Sequence, residues 1–162
     1  MNEGNVKKLT IILSLTFYII SLTQTAYCTN DCKSSIMGLF VGFLGVLTEI
    51  GAITSFIMDK INGYPNSIDC ELGATFTWLA NPIILFSLII FKYSKKTAFT
   101  LSISSTILIL VFLMFDKVID NEAGHYIKVT ELKLGYWLWL LSSLTILIGS
   151  SITIKISKMD AK

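Results

Sequence analysis

Arginine is absent from this chain of 162 residues, and all 13 basic residues are lysine. The planar, bidentate clamp that proteins use on phosphate and carboxylate is therefore missing. With a net charge of only +2 and no basic cluster, the sequence offers no nucleic-acid surface. Charge of either sign is scarce, at 15% of residues, against about 25% in soluble domains. Histidine occurs once, as His125, with nothing nearby to complete a zinc or catalytic site, so it reads as a surface residue. GxSxG, P-loop, HExxH and CxxC patterns are all missing, and Cys28 and Cys32 form a CxxxC, off the spacing of thiol oxidoreductases. No catalytic residue, metal site or cofactor is expected, which argues for a non-enzymatic protein.

What is abundant is apolar length: 53% of residues are hydrophobic. Four runs, residues 9–27, 74–91, 97–115 and 134–154, come close to the roughly 20 residues that cross a hydrocarbon core as a helix. The expected fold is an all-α membrane protein of one domain with four transmembrane helices. The first run could be a signal peptide behind Lys7 and Lys8. It is too long for one, however, and Gln24 and Tyr27 spoil the cleavage and lipoprotein patterns, so an uncleaved anchor is expected.

A fifth run, residues 36–58, differs in holding Gly38, Gly42, Gly45, Gly51 and Glu49. If it spans, the lysines divide six against seven between the two sides and select no orientation. If it instead re-enters or lies at the interface, eight lysines fall inside with two acids, and five fall outside with eight acids. That asymmetry predicts four spans with both termini cytoplasmic. The same arrangement puts Cys28, Cys32 and Cys70 on the extracytoplasmic side, where a disulfide from Cys70 to Cys28 or Cys32 would tie the glycine-rich segment at both ends. Unpaired thiols are the alternative.

Gly38, Gly42, Gly45 and Glu49 share one helix face, the first two as GxxxG, which permits close helix approach or a homo-oligomer through the glycine face. A carboxylate at membrane depth costs about 2.5 to 3.5 kcal/mol unless paired or hydrated. Glu49 is thus either an intramembrane proton or cation site partnered by Asn81, or a carboxylate bonding backbone amides at a bend. In "TFTWLANPIILFSLII", residues 75–90, Pro82 deprives the Trp78 carbonyl of its helical donor, and Asn81 is pushed away from helical angles. A kink or break near Asn81 follows, with Asn81 as a candidate helix cap and Trp78 as an interfacial anchor.

Residues 116–133 carry "VID" and "YIKVT" around "NEAG", which predicts a short β-hairpin in the second outer loop. Ser142, Thr145, Gly149 and Thr153 form a small, polar stripe on the last helix, suited to packing and less suited to lining a pore.

The order "GLFVGFLG", "WLANP", "EAG", "GYWLWLLSS" resembles a widespread set of small, uncharacterised bacterial integral membrane proteins. The resemblance covers residues 38–143 and departs where 26 residues separate the glycine-rich stretch from the next motif region. It implies a membrane location and a shared fold, and no activity. The expectation is a multi-pass protein of the bacterial inner membrane acting through contacts with lipid and with another membrane or extracytoplasmic protein, as an accessory or immunity-type chain. The alternative is a small transporter or channel component using Glu49 and Asn81.

Overall fold

The computed structural model describes residues 2–29, 32–62, 74–119 and 126–160. Cys70 and His125 lie outside them. The chain is mostly helical: α1 (Glu3–Thr23), α2 (Ser35–Asn62), α3 (Ala80–Ile90), α4 (Lys95–Val111) and α5 (Leu134–Asp160), with 3₁₀ turns at Ala74–Leu79 and Phe112–Met114. Short strands fill the links: β1 (Thr25–Cys28), β2 (Cys32–Ser34), β3 (Lys117–Ile119), β4 (Tyr126–Lys128) and β5 (Glu131–Leu132).

Polarity runs inside out. The fully buried side chains include Ser14, Ser87, Ser102, Ser105, Ser142, Ser143 and Thr153, while Ile12, Phe86, Ile89, Ile107 and Ile148 are more than half exposed. Water would penalise that distribution, whereas a hydrocarbon solvent favours it. Three helices, Glu3–Thr23, Lys95–Met114 and Leu134–Met159, are long and apolar enough to cross a membrane.

Serine and threonine hold these helices together. Ser14 on α1 donates to the Ser142 carbonyl at 2.9 Å, and Ser143 meets Ser105 and Thr106 of α4 at 2.7 and 2.8 Å. Ser87 of α3 donates to the Ala98 carbonyl at 3.0 Å. Such bonds contribute about 0.6 kcal/mol each in a bilayer, so close packing of small residues carries more of the association. Gly149 supplies that closeness, because a Cβ there would stand 2.1 Å from Thr10 Oγ1. The stripe Ser142, Gly149, Thr153 is thus buried, and Thr145 bonds back to its own helix at Leu141. It is a packing seam.

The two ends of the bundle differ. At one end Glu3 pairs with Lys7 at 2.9 Å and with Lys95 at 3.2 Å, joining the starts of α1 and α4. Ser94 caps α4 by accepting from Thr97 N, which turns the chain tightly after α3. The opposite end carries a β cap. There β2, β1 and β5 form one antiparallel sheet, and β3 pairs with β4 in the expected hairpin.

Three sequence expectations are corrected or resolved. The first apolar run was expected to stay helical to residue 27, but α1 stops at Thr23, and Gln24 is extended with φ −100° and ψ 161°. Residues 25–28 pair as a strand because β2 and β5 offer them ladder partners. Second, of the two arrangements expected for residues 36–58, a re-entrant turn or an extra helix, the extra helix is the one formed, as the 28-residue α2. Third, Cys28 is bonded to Cys32 across the β1–β2 turn, so neither is available to Cys70.

Candidate functional site

The cap end is where the sequence motifs meet. Ser35 opens α2 with its amide on the Gln24 carbonyl at 3.2 Å. From there α2 packs on the 3₁₀ turn Ala74–Leu79, which itself packs on β3. Both ends of the stretch from Ser35 to Ala74 are therefore anchored at the cap.

Trp78 is the clasp between them. Its indole Nε1 donates to the Leu39 carbonyl at 2.7 Å, and its ring lies 5.4 Å from that of Phe43. Gly42 makes room for it, since a Cβ at that position would come 2.4 Å from Trp78 Cδ1. Gly38 faces Tyr27, and Gly45 is buried. The glycine face is occupied by the chain's own Trp78 and Tyr27, so a second copy cannot use Gly42 as the close-approach point. Glu49 lies farther along α2, and its side chain is outside the described set.

Asn81 does not cap a helix. The residue before α3 is Leu79, with αR angles and no side-chain cap bond. Instead, Asn81 Nδ2 donates at 3.0 Å to the Trp78 carbonyl. That carbonyl is the one that Pro82 leaves without a backbone donor. The Asn–Pro pair thereby repairs its own break, and the helix changes from 3₁₀ to α with no interruption. The other end of the amide, Oδ1, accepts from the Tyr18 hydroxyl at 3.3 Å. Asn81 is buried and engaged at both ends, while Pro82 is exposed.

Between this clasp and the bundle is a cavity of about 110 Å³. Ser21 and Leu22 of α1, Tyr136 and Trp139 of α5, and Phe112 form its walls, with Gly38, Leu39 and Gly42 of α2 as the roof. Trp78 and Asn81 also line it. Tyr136 is fixed by its hydroxyl, which donates to the Ile109 carbonyl at 2.9 Å. Trp139 Nε1 is buried with no hydrogen-bond partner among the described residues. Sequence reasoning missed Tyr136 and Trp139 as wall residues. Only the packing of α1 on α5 turns them inward.

Among the described residues no three His, Cys, Asp or Glu side chains gather as a metal site. No protein-family model, curated protein or solved structure matches the chain.

Proposed function

We propose that this chain is a four-span, non-enzymatic protein of a bacterial inner membrane, with both termini cytoplasmic, whose α2 helix docks another membrane protein. The spans are α1, the 3₁₀ turn with α3, α4, and α5. Residues 74–90 number only 17, yet the steeper rise of the 3₁₀ turn extends them to about 28 Å, close to the hydrocarbon thickness. The orientation rests on the lysines: Lys7, Lys8, Lys92, Lys95, Lys96, Lys155 and Lys158 gather at the end opposite the β cap.

The observation that carries the docking role is the second half of α2. Leu47, Ile50, Ile57, Met58 and Ile61 are all half exposed or more. Gly51 has open space around it. Thr54 and Ser55 turn their hydroxyls onto the carbonyls of Ile50 and Gly51, which lessens the polarity of the exposed stretch between them and Ile57. An arm gripped at one end and apolar along the other suits a partner within or at the membrane surface. The engagement of Asn81 with Trp78 and Tyr18 weakens the competing transport reading, because its amide is already used in the fold.

Photo-crosslinkers placed at positions 47, 50, 57 and 61, with Ile12 of α1 as a lipid-facing control, test the reading in cells. A discrete protein adduct from α2 and none from Ile12 is expected. Crosslinks to lipid alone at all positions would remove the docking role. Thiol labelling at an introduced Gly51→Cys from the outside of intact cells checks the topology.

A further inference from the structure

The lysines at the end opposite the β cap carry an inference that rests on the membrane reading alone, whichever way the chain faces and whether or not α2 docks a partner. In sequence they are scattered, and the fold collects them. Glu3 bonds Lys7 of its own helix and Lys95 of α4, which brings the starts of α1 and α4 together. The contacts of Ser14 with Ser142 and of Thr10 with Gly149 run in opposite senses along α1 and α5. Continuing that seam for about 10 Å, a rise of six or seven residues, sets Lys155 of α5 level with Glu3. Lys7 and Lys95 share one carboxylate, the only one at this end whose side chain is described. Lys8, Lys92, Lys96, Lys155 and Lys158 are exposed and pair with no described residue.

These cations stand at the ends of apolar ridges. On α5, Ile148, Ile152, Lys155 and Met159 recur at helical spacing and all are exposed. On α1, Lys8 heads the ridge of Ile12, Leu15 and Ile19, and on α3 the exposed Phe86 and Ile89 lead up to Tyr93, which is 82% exposed beside Lys92. A lysine stem lies along such a ridge while its ammonium reaches the headgroup plane, and a tyrosine ring sits at the same level. The surface therefore has the shape of its ligand: hydrocarbon below, negative charge above. A free phosphate would use the cations and leave the ridges, and a zwitterionic headgroup brings a cation of its own.

We propose that this end of the bundle binds anionic phospholipid, with acyl chains along the ridges of α1, α3 and α5 and headgroup phosphates on the five exposed lysines, Lys92 and Lys96 of the α3–α4 turn foremost. Glu3 limits the site by holding Lys7 and Lys95 away from it.

Lipid binding to the full-length protein in neutral detergent micelles tests this, read by native mass spectrometry with phosphatidylglycerol and phosphatidylcholine of the same acyl chains as probes. Phosphatidylglycerol is expected to bind about ten-fold more tightly, with the preference shrinking as salt is raised. Lys92→Gln combined with Lys96→Gln should weaken phosphatidylglycerol by about five-fold for each charge removed and leave phosphatidylcholine unchanged. Glu3→Gln acts in the opposite direction: with Lys7 and Lys95 released, phosphatidylglycerol should bind about five-fold more tightly. Its cost to the fold is small because the ion pair is partly exposed, and unchanged phosphatidylcholine binding reports that the bundle persists. Lys117→Gln with Lys128→Gln, an exposed cross-strand pair on the β cap, is the control for diffuse charge and should alter neither lipid. Equal binding of the two lipids, an equal loss from the β-cap pair, or no gain in Glu3→Gln would each overturn the proposal. A chain that stayed folded and dispersed without detergent would instead overturn the membrane reading beneath it.

Discussion

Helices α5 and α2 are almost equal in length, 27 and 28 residues, and both are rich in small residues and long aliphatics. They are used in opposite ways. Gly149 of α5 is pressed against Thr10, whereas Gly51 of α2 has nothing within 4 Å of where a Cβ would stand. Buried serines stud α5 along its length, while among the described side chains of α2 the buried ones lie in the half that meets Trp78. Glycine content alone therefore does not mark a packing face in an apolar helix; what sits opposite each glycine decides.

Substitutions graded along the two helices sharpen that contrast. The largest loss is expected from Gly149→Ala. The added carbon would strike Thr10 at 2.1 to 2.7 Å, and a β-branched side chain in a helix has little freedom to yield. A cost of about 3 kcal/mol, at the upper end for overpacking, should appear as reduced resistance to unfolding in mixed micelles. Asn81→Ala comes next, at about 2 kcal/mol, because it leaves the Trp78 carbonyl and the Tyr18 hydroxyl unpaired in the interior. Loss of the Tyr18 bond alone, in Tyr18→Phe, should cost less than Asn81→Ala in the same assay. Gly42→Ala forces Trp78 aside but strains only the clasp, so about 1 kcal/mol is expected. Its main signature should be altered tryptophan emission and faster proteolysis within α2. Gly51→Ala should be neutral or stabilise α2 by roughly 0.5 kcal/mol, since alanine is the better helix former and the site is open. If Gly51→Ala proved as damaging as Gly149→Ala, the second half of α2 would have to be packed in the membrane, and the contrast would collapse.

Much of the bundle was legible in the sequence, because lipid asks for one simple thing, about 20 apolar residues per crossing. The 3.6-residue face shared by Gly38 and Gly42 was also legible, and so was the orphaned carbonyl created by Pro82. Other features were not. The β3–β4 hairpin was legible, but the three-stranded sheet β2–β1–β5 depends on pairing between residues about a hundred positions apart, as when Thr130 bonds the Cys28 carbonyl, and its short strands announce nothing locally. The repair of the Trp78 carbonyl by Asn81 depends on a side-chain rotamer, where backbone preference suggested only a cap. Trp139 could not be read as a cavity wall because an aromatic near a helix start at the interface looks the same whether it faces lipid or protein.

The seam between α1 and α5 joins helices far apart along the chain, as Ser14 and Ser142 lie 128 residues apart. During synthesis α1 is therefore made long before its main partner exists, with Thr10 and Ser14 still uncovered. The seam can close only once α5 has been made. A chain truncated before Leu134 would keep its other apolar helices and lose the seam, leaving Thr10 and Ser14 without the helix that covers them.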